Sequence, residues 1–173
     1  RAYIDFYAND AETGYVESPE NWLEPDGAQD RVKWAAAWLN EHAPCGVVLD
    51  YGCFDGITGI PLLKMCPGIK YVGVDIYEKP LARFRQRLEA RGLSGRARLH
   101  RLDAVPEMPP MNPDGRTELV DAAMWFEVIE HVPDPGAELA RIAHMVKSDG
   151  HVLLTTPWGA FDAGNPPEKN FNG

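Results

Sequence analysis

Ten residues, 47–56 (VVLDYGCFDG), constrain this chain more than any other stretch. Val47, Val48 and Leu49 predict a short buried strand, Asp50 closes it, and Gly52 and Gly56 predict a turn leading into a helix over 57–65. The glycines let the backbone approach a ligand closely, and the unpaired N–H groups at the helix start favour a carboxylate or phosphate. The stretch is neither G-x-G-x-x-G nor a phosphate loop ending in G-K-[ST]. Asp50 and Asp55 lie in the turn instead. Two unit charges about 4 Å apart interact by roughly 4 kcal/mol at an effective dielectric near 20. A pyrophosphate would be repelled on that scale, and a ligand carrying an ammonium and a sulfonium would be attracted.

Downstream, apolar runs alternate with amphipathic ones. Strands are expected at 69–75, 97–102, 119–125 and 152–156, with helices over 79–91 (closed by Gly92) and 135–146. The stretch 104–118 carries Pro106, Pro109, Pro110 and Pro113 and reads as a loop, and Ser148-Asp149-Gly150 reads as a turn. Upstream, Asp26 and Gln29 form a capping-box pattern for a helix over 27–42 that packs Trp34 and Trp38 into the core. The aromatic-rich residues before it are expected to fold over the ligand as a lid. Strand–helix alternation at this spacing implies right-handed crossovers and a mostly parallel sheet covered on both faces. The fold class is α/β, a Rossmann-like three-layer sandwich. Residues 1–44 form a helical and lid segment, 45–157 the ligand-binding core, and 158–173 an acceptor-side loop.

In such sheets the ligand lies beyond the carboxyl ends of the strands. The first four strands end at Asp50, Asp75, Asp103 and Phe126-Glu127, an acidic residue each time. Asp75 is placed to accept from both ribose hydroxyls of a nucleoside, and Asp103 from an exocyclic adenine amine. VVLDYGCFDG, YVGVDIYEKPL, LHRLDAV, DAAMWFEVIEHVPDP and MVKSDGHVLLTTP, taken in order, resemble the motifs of class I S-adenosylmethionine-dependent methyltransferases. Phe54 stands where motif I of that family, D-x-G-x-G-x-G, has its middle glycine. The resemblance implies that Asp50, Gly52, Cys53, Phe54 and Gly56 hold the methionine part of the cofactor. It implies that Asp75 and Ile76 hold the ribose and adenine, Asp103 and Ala104 the adenine, and that Trp125 and Phe126 line the sulfonium. The family has seven strands, and the sequence runs out before the sixth and seventh, so a missing C-terminal part is expected.

FEVIEHVPDP places Glu127, Glu130 and His131 at i, i+3 and i+4. These residues have three readings: a divalent-cation site, a general base, or capping and anchoring groups. The same E-x-x-E-H occurs in ubiquinone-biosynthesis O-methyltransferases, which this chain resembles, and in small-RNA 3′-terminal 2′-O-methyltransferases, resemblance to which implies Mg²⁺ or Mn²⁺ as the cation. The resemblance implies O-methylation of a small-molecule or sugar hydroxyl, with His131 and Glu130 as catalytic candidates. Thr155-Thr156-Pro157-Trp158-Gly159 would border the acceptor pocket. A metal-dependent RNA methyltransferase and a regulatory module that binds the cofactor without turnover are the alternatives. A nucleotide-dependent oxidoreductase is disfavoured by the turn carboxylates.

Charge and cysteine content bear on those alternatives. A net charge of -9 disfavours a long nucleic-acid footprint. The cluster Arg83, Arg85, Arg87, Arg91, Arg96, Arg98 and Arg101 reads as a solvated helix face, with a local RNA-contacting patch as the second reading. Cys45, Cys53 and Cys66, odd in number and without C-x-x-C spacing, fit a reducing cytoplasm better than disulfides or zinc. No apolar run approaches the roughly 20 residues that span a bilayer.

Overall fold

The structure, a computed structural model, describes residues 16–102 and 118–156. Its elements are a 3₁₀ turn Glu20–Leu23, α1 Asp30–His42, β1 Val47–Tyr51, α2 Gly59–Met65 and β2 Lys70–Asp75. They continue with α3 Glu78–Ala90, β3 Ala97–Arg101, β4 Val120–Phe126, α4 Pro135–Met145 and β5 Val146–Thr155. All five described strands run parallel, in the order β3-β2-β1-β4-β5. The order reverses direction between β1 and β4, so a crevice opens there at the carboxyl edge.

Every residue of β1 is buried, as a central strand with helices on both faces requires. Its alternate residues feed two cores. Val48 joins Met124, Phe126 and Leu153 against Leu39 of α1, Leu62 of α2 and Phe84 of α3. Leu49 and Tyr51 join Val72, Ala123 and Trp125 against Ile142 and Met145 of α4. Helices therefore cover both faces, giving the three layers expected.

Several local expectations need correction. α1 begins at Asp30, and its N-cap Gln29 makes no side-chain capping bond; Asp26 instead offers its carbonyl to Lys33 Nζ at 2.9 Å. The capping-box spacing was a coincidence of residues in a turn. Trp34 is 53% exposed, because the buried stripe of α1 is Val32, Ala35, Ala36 and Leu39; Trp38 is half-buried and stacks on His42 at 4.5 Å. The Ser148-Asp149-Gly150 turn lies within β5. Val120 pairs with Val146 and Ala122 with His151, so Asp121 alone faces 147–150. Asp121 secures that irregularity by accepting from Val47 N at 2.7 Å and Lys147 Nζ at 2.6 Å.

Candidate active site

The turn after β1 is pinned to β2. Gly52 N and Cys53 N both donate to the Val74 carbonyl, at 2.8 and 3.0 Å, and Phe54 N donates to Asp75 Oδ2 at 2.8 Å. Residues 52, 54 and 56 alternate into the left-handed region, with φ of 92°, 49° and 92°. Phe54 thus takes up the conformation that a middle glycine adopts freely, at a cost of roughly 1–2 kcal/mol. A Cβ on Gly52 would meet Val128 at 2.4 Å, and one on Gly56 would meet the Phe84 ring at 2.4 Å. Gly73 was not anticipated as part of this arrangement. A Cβ there would strike Cys53 Sγ at 2.8 Å, so its absence lets the turn settle on β2.

Beside the turn lies a cavity of about 950 Å³ at the carboxyl edge, beyond β1, β2 and β4. Gly52, Phe54, Asp75, Ile76, Phe126, Glu127 and His131 line it. Of the other expected residues, Asp50, Cys53, Gly56, Trp125 and Glu130 do not line it. Cys53 and Gly56 shape the turn from behind. Trp125 is fully buried on the α4 side and meets Tyr51 edge-on at 6.3 Å, so its expected place beside the ligand is corrected: the β4 pleat gives that place to Phe126. Asp103, Ala104 and Trp158, the prolines of 104–118, residues 1–15 and the loop 158–173 lie outside the described residues.

Asp50 and Asp55 are not the ligand-facing charges that the sequence suggested. Asp55 is fully buried and pairs with Arg87 Nη1 at 2.7 Å. Asp50 accepts the Tyr71 hydroxyl, and burial pushes its carboxyl up to about 7, although the Tyr71 bond and the Arg31 charge pull the other way. The carboxylates lining the cavity are Asp75, Glu127, Asp134 and Glu138, interspersed with Arg31, Arg101 and Arg141. Burial raises Asp75 to about 6, opposed by the N–H groups of Tyr77, Phe54 and Ile76. Glu138 accepts the Tyr51 hydroxyl, and Asp134 caps α4 by accepting from Ala137 N at 2.9 Å.

The sequence reading missed Arg31 and Tyr51. Arg31, in the first turn of α1, lines the cavity, and its buried Nε has no hydrogen-bond partner. Nothing local distinguishes it from a solvated helix residue. Tyr51 had a signal: a phenol at the end of a buried strand needs a partner.

Glu127, Glu130 and His131 do not converge. Residues Ile129–His131 form a 3₁₀ turn, with φ of 56° at Glu127 just before it. Glu127 Oε1 accepts Thr155 Oγ1 at 2.7 Å, while Glu130 turns out of the cavity with its side chain 11% exposed. Among the described residues no three His, Cys, Asp or Glu side chains group as metal ligands. The donor set therefore does not fit the expected Mg²⁺ or Mn²⁺. The arginine cluster is also used internally. Arg83 and Arg91 pair with Glu17 and Glu20, Arg85 with Glu78, and Arg96 donates to the Leu63, Cys66 and Pro67 carbonyls. Arg87 is 2% exposed and lies in the buried stripe of α3 with Leu81, Phe84 and Leu88, not on its solvated face.

A parallel 3-2-1-4-5 sheet with a glycine turn and a cavity at its carboxyl edge defines a Rossmann-like α/β class, whose ligands bind in that crevice. A model of the methyltransferase domain family matches residues 21–167, and the chain belongs to that family. It is 31% identical over 121 residues to a ubiquinone biosynthesis O-methyltransferase of Stutzerimonas stutzeri, covering 69% of this chain and 48% of that protein. The corresponding enzyme of Aliivibrio fischeri strain MJ11 is 32% identical over 109 residues, covering 63% and 43%. The chain spans about half the length of these relatives. Among solved structures it is similar to magnesium protoporphyrin IX methyltransferase from Synechocystis PCC 6803 with bound SAM. The TM-score is 0.60 at 21% identity, covering 84% of this chain and 72% of that one. Among the described residues no helix is long and apolar enough to cross a membrane.

Proposed function

We propose that this chain transfers a methyl group from S-adenosylmethionine to a hydroxyl of a small-molecule acceptor. The observation that carries the reading is Asp75, a carboxylate 7% exposed at the end of β2, lining a cavity beside a turn whose backbone is left-handed at three alternate residues. Membership of the methyltransferase domain family supports the reaction class. The likeness to ubiquinone biosynthesis O-methyltransferases supports oxygen as the methyl acceptor.

In this reading Asp75 and Ile76 hold the ribose and adenine, with Asp103 and Ala104 completing the adenine site. Gly52 and Phe54 border the methionine part, and Arg31 offers a cation to its carboxylate. Phe126 supplies an aromatic wall, whose face suits a cation. The bound cofactor supplies an activated methyl, so the protein's task is alignment, exclusion of water and removal of the acceptor's proton. His131 lines the cavity and is the proton-accepting group, with no metal step. Ser18 and Arg31 border the cavity from the N-terminal segment. The internal pairing of the α3 arginines and the unfavourable metal-donor set support a small-molecule acceptor over an RNA end.

Calorimetry with AdoMet, AdoHcy and NADH tests the cofactor, and turnover on phenols, catechols and sugars tests the acceptor. Saturable binding of AdoHcy without NADH is expected. Absence of heat at millimolar AdoHcy overturns the reading, and turnover on amines alone overturns the oxygen assignment.

A further inference from the structure

Behind the turn that borders the cavity, three parts of the chain meet in a buried polar junction. The Asp55 carboxylate is 0% exposed, the Arg87 side chain 2% and Ser18 8%. Asp55 Oδ1 accepts the Ser18 hydroxyl at 2.7 Å, and Oδ2 accepts Ser18 N at 2.7 Å and pairs with Arg87 Nη1 at 2.7 Å. Arg87 then reaches two carbonyls, Asp55 O from Nη1 at 3.0 Å and Ser18 O from Nη2 at 2.7 Å. Its remaining donors go to Glu20, which also pairs with Arg91 at 2.6 Å. A buried charge pair is expensive to desolvate and is tolerated only where such partners satisfy it.

The position of this junction separates it from an ordinary tie. Asp55 lies between Phe54 and Gly56, so its carboxylate and carbonyl are gripped in the middle of the left-handed turn. Ser18 lines the cavity on one side and binds Asp55 on the other. The segment 16–23 is anchored at its far end by the fully buried Leu23, and it reaches the cavity through Ser18, whose hydroxyl and amide are both held by Asp55.

We propose that Ser18, Asp55 and Arg87 are positioning residues that link docking of the segment 16–23 to occupancy of the cofactor cavity. They set cofactor affinity through the turn and the wall. The inference rests on the cavity being the S-adenosylmethionine site. Linkage is reciprocal: if the docked segment strengthens binding, bound cofactor holds the segment down by the same factor.

The test uses the whole 173-residue chain, with AdoHcy as the probe, calorimetry for affinity and amide hydrogen exchange for docking. In the unmodified protein, AdoHcy is expected to slow exchange across 16–23 at least tenfold. Ser18→Ala, which keeps the charge pair, is expected to weaken AdoHcy about tenfold, or about 1.4 kcal/mol, and to reduce the ligand-induced slowing. The paired Asp55→Asn/Arg87→Gln variant removes both charges together and is expected to do the same, with its melting temperature reporting folding separately. If the paired variant unfolds, Ser18→Ala and the unmodified protein still decide the matter. Affinity within twofold of the unmodified protein in Ser18→Ala, with unchanged exchange on ligand addition, overturns the linkage while leaving the methyltransferase reading intact. If the unmodified protein takes up no AdoHcy, that reading falls and the linkage falls with it.

Discussion

The Phe54 N–H donates to Asp75 Oδ2 at 2.8 Å, so the end of β2 holds the turn after β1 in its left-handed shape. Oδ1 of the same carboxylate accepts from Tyr77 N at 2.9 Å, at the start of α3. One side chain thus fixes two backbone segments and presents its remaining lone pairs to the cavity. Asp75→Asn keeps the shape but leaves one oxygen to serve both amides. Hydrogen bonds to a charged acceptor contribute about 1.5–3 kcal/mol, so AdoHcy affinity is expected to fall between about 10- and 100-fold by calorimetry. An unchanged Kd would remove Asp75 from the cofactor site.

Asp50 and Asp75 also set a pH dependence. Burial raises their carboxyls to about 7 and about 6, above the ordinary 3.8 of an unfolded aspartate. The folded protein therefore binds more protons than the unfolded chain in that window. The stability from these groups is fully present below about pH 4 and is lost as pH rises through 6 and 7. For Asp50 alone, the difference between pH 5 and pH 7 is on the order of 2 kcal/mol. Denaturant titrations of the ligand-free protein should show this gain at pH 5, and Asp50→Asn should flatten it. Tyr71→Phe removes the hydroxyl that Asp50 accepts. It is expected to cost about 1–3 kcal/mol at pH 8 and less at pH 5, where the carboxyl is protonated. An equal cost at both values would contradict the buried-carboxylate account.

Two glycines offer a matched comparison. Gly56 has φ of 92° and would drive a Cβ to 2.4 Å from the Phe84 ring, whereas Gly92 has φ of 66° with nothing within 4 Å. Gly92→Ala therefore carries the backbone penalty alone, about 1 kcal/mol. Gly56→Ala adds an overlap with a packed aromatic ring, for a total of about 2–4 kcal/mol. Thermal melts of the two variants should separate in that order, and only Gly56→Ala should lose AdoHcy.

Much of this was legible in the sequence because strands buried on both faces are continuous apolar runs, and the α/β alternation follows from them. The side of the sheet on which a residue falls was less legible. β4 reads VDAAMWF, apolar at nearly every position, so no alternation shows which of Trp125 and Phe126 points to the crevice. The pleat, fixed by pairing with β1 and β5, assigns the crevice to Phe126. Arg87 was misread because the i, i+4 spacing of Arg83, Arg87 and Arg91 describes a plausible exposed face. Leu81, Phe84 and Leu88 describe a buried stripe through the same position, and that stripe was the better guide. Asp55 was misread with it, since a carboxylate in a ligand turn looks ligand-facing until its buried partner is known.

His131 and Glu130 adjoin in sequence and approach to 3.8 Å, but only His131 lines the cavity, and the difference makes the proton-transfer assignment testable. His131 lines the cavity with its side chain 43% exposed, and Glu130 approaches its Nε2 only to 3.8 Å, from outside the lining. A general base contributes about 10²–10⁴ in rate when positioned against the reacting proton. His131→Ala is therefore expected to lower kcat by at least 100-fold on a hydroxyl acceptor, with AdoHcy Kd within threefold of the unmodified protein. Glu130→Gln should change kcat by less than fivefold, because an amide keeps the volume and Glu130 neither lines the cavity nor completes a metal site. The loss in His131→Ala should diminish at alkaline pH on a phenolic acceptor, which then ionises without help. If Glu130→Gln abolishes turnover while His131→Ala retains it, the base assignment is reversed, and the corner after β4 must rearrange when substrate binds.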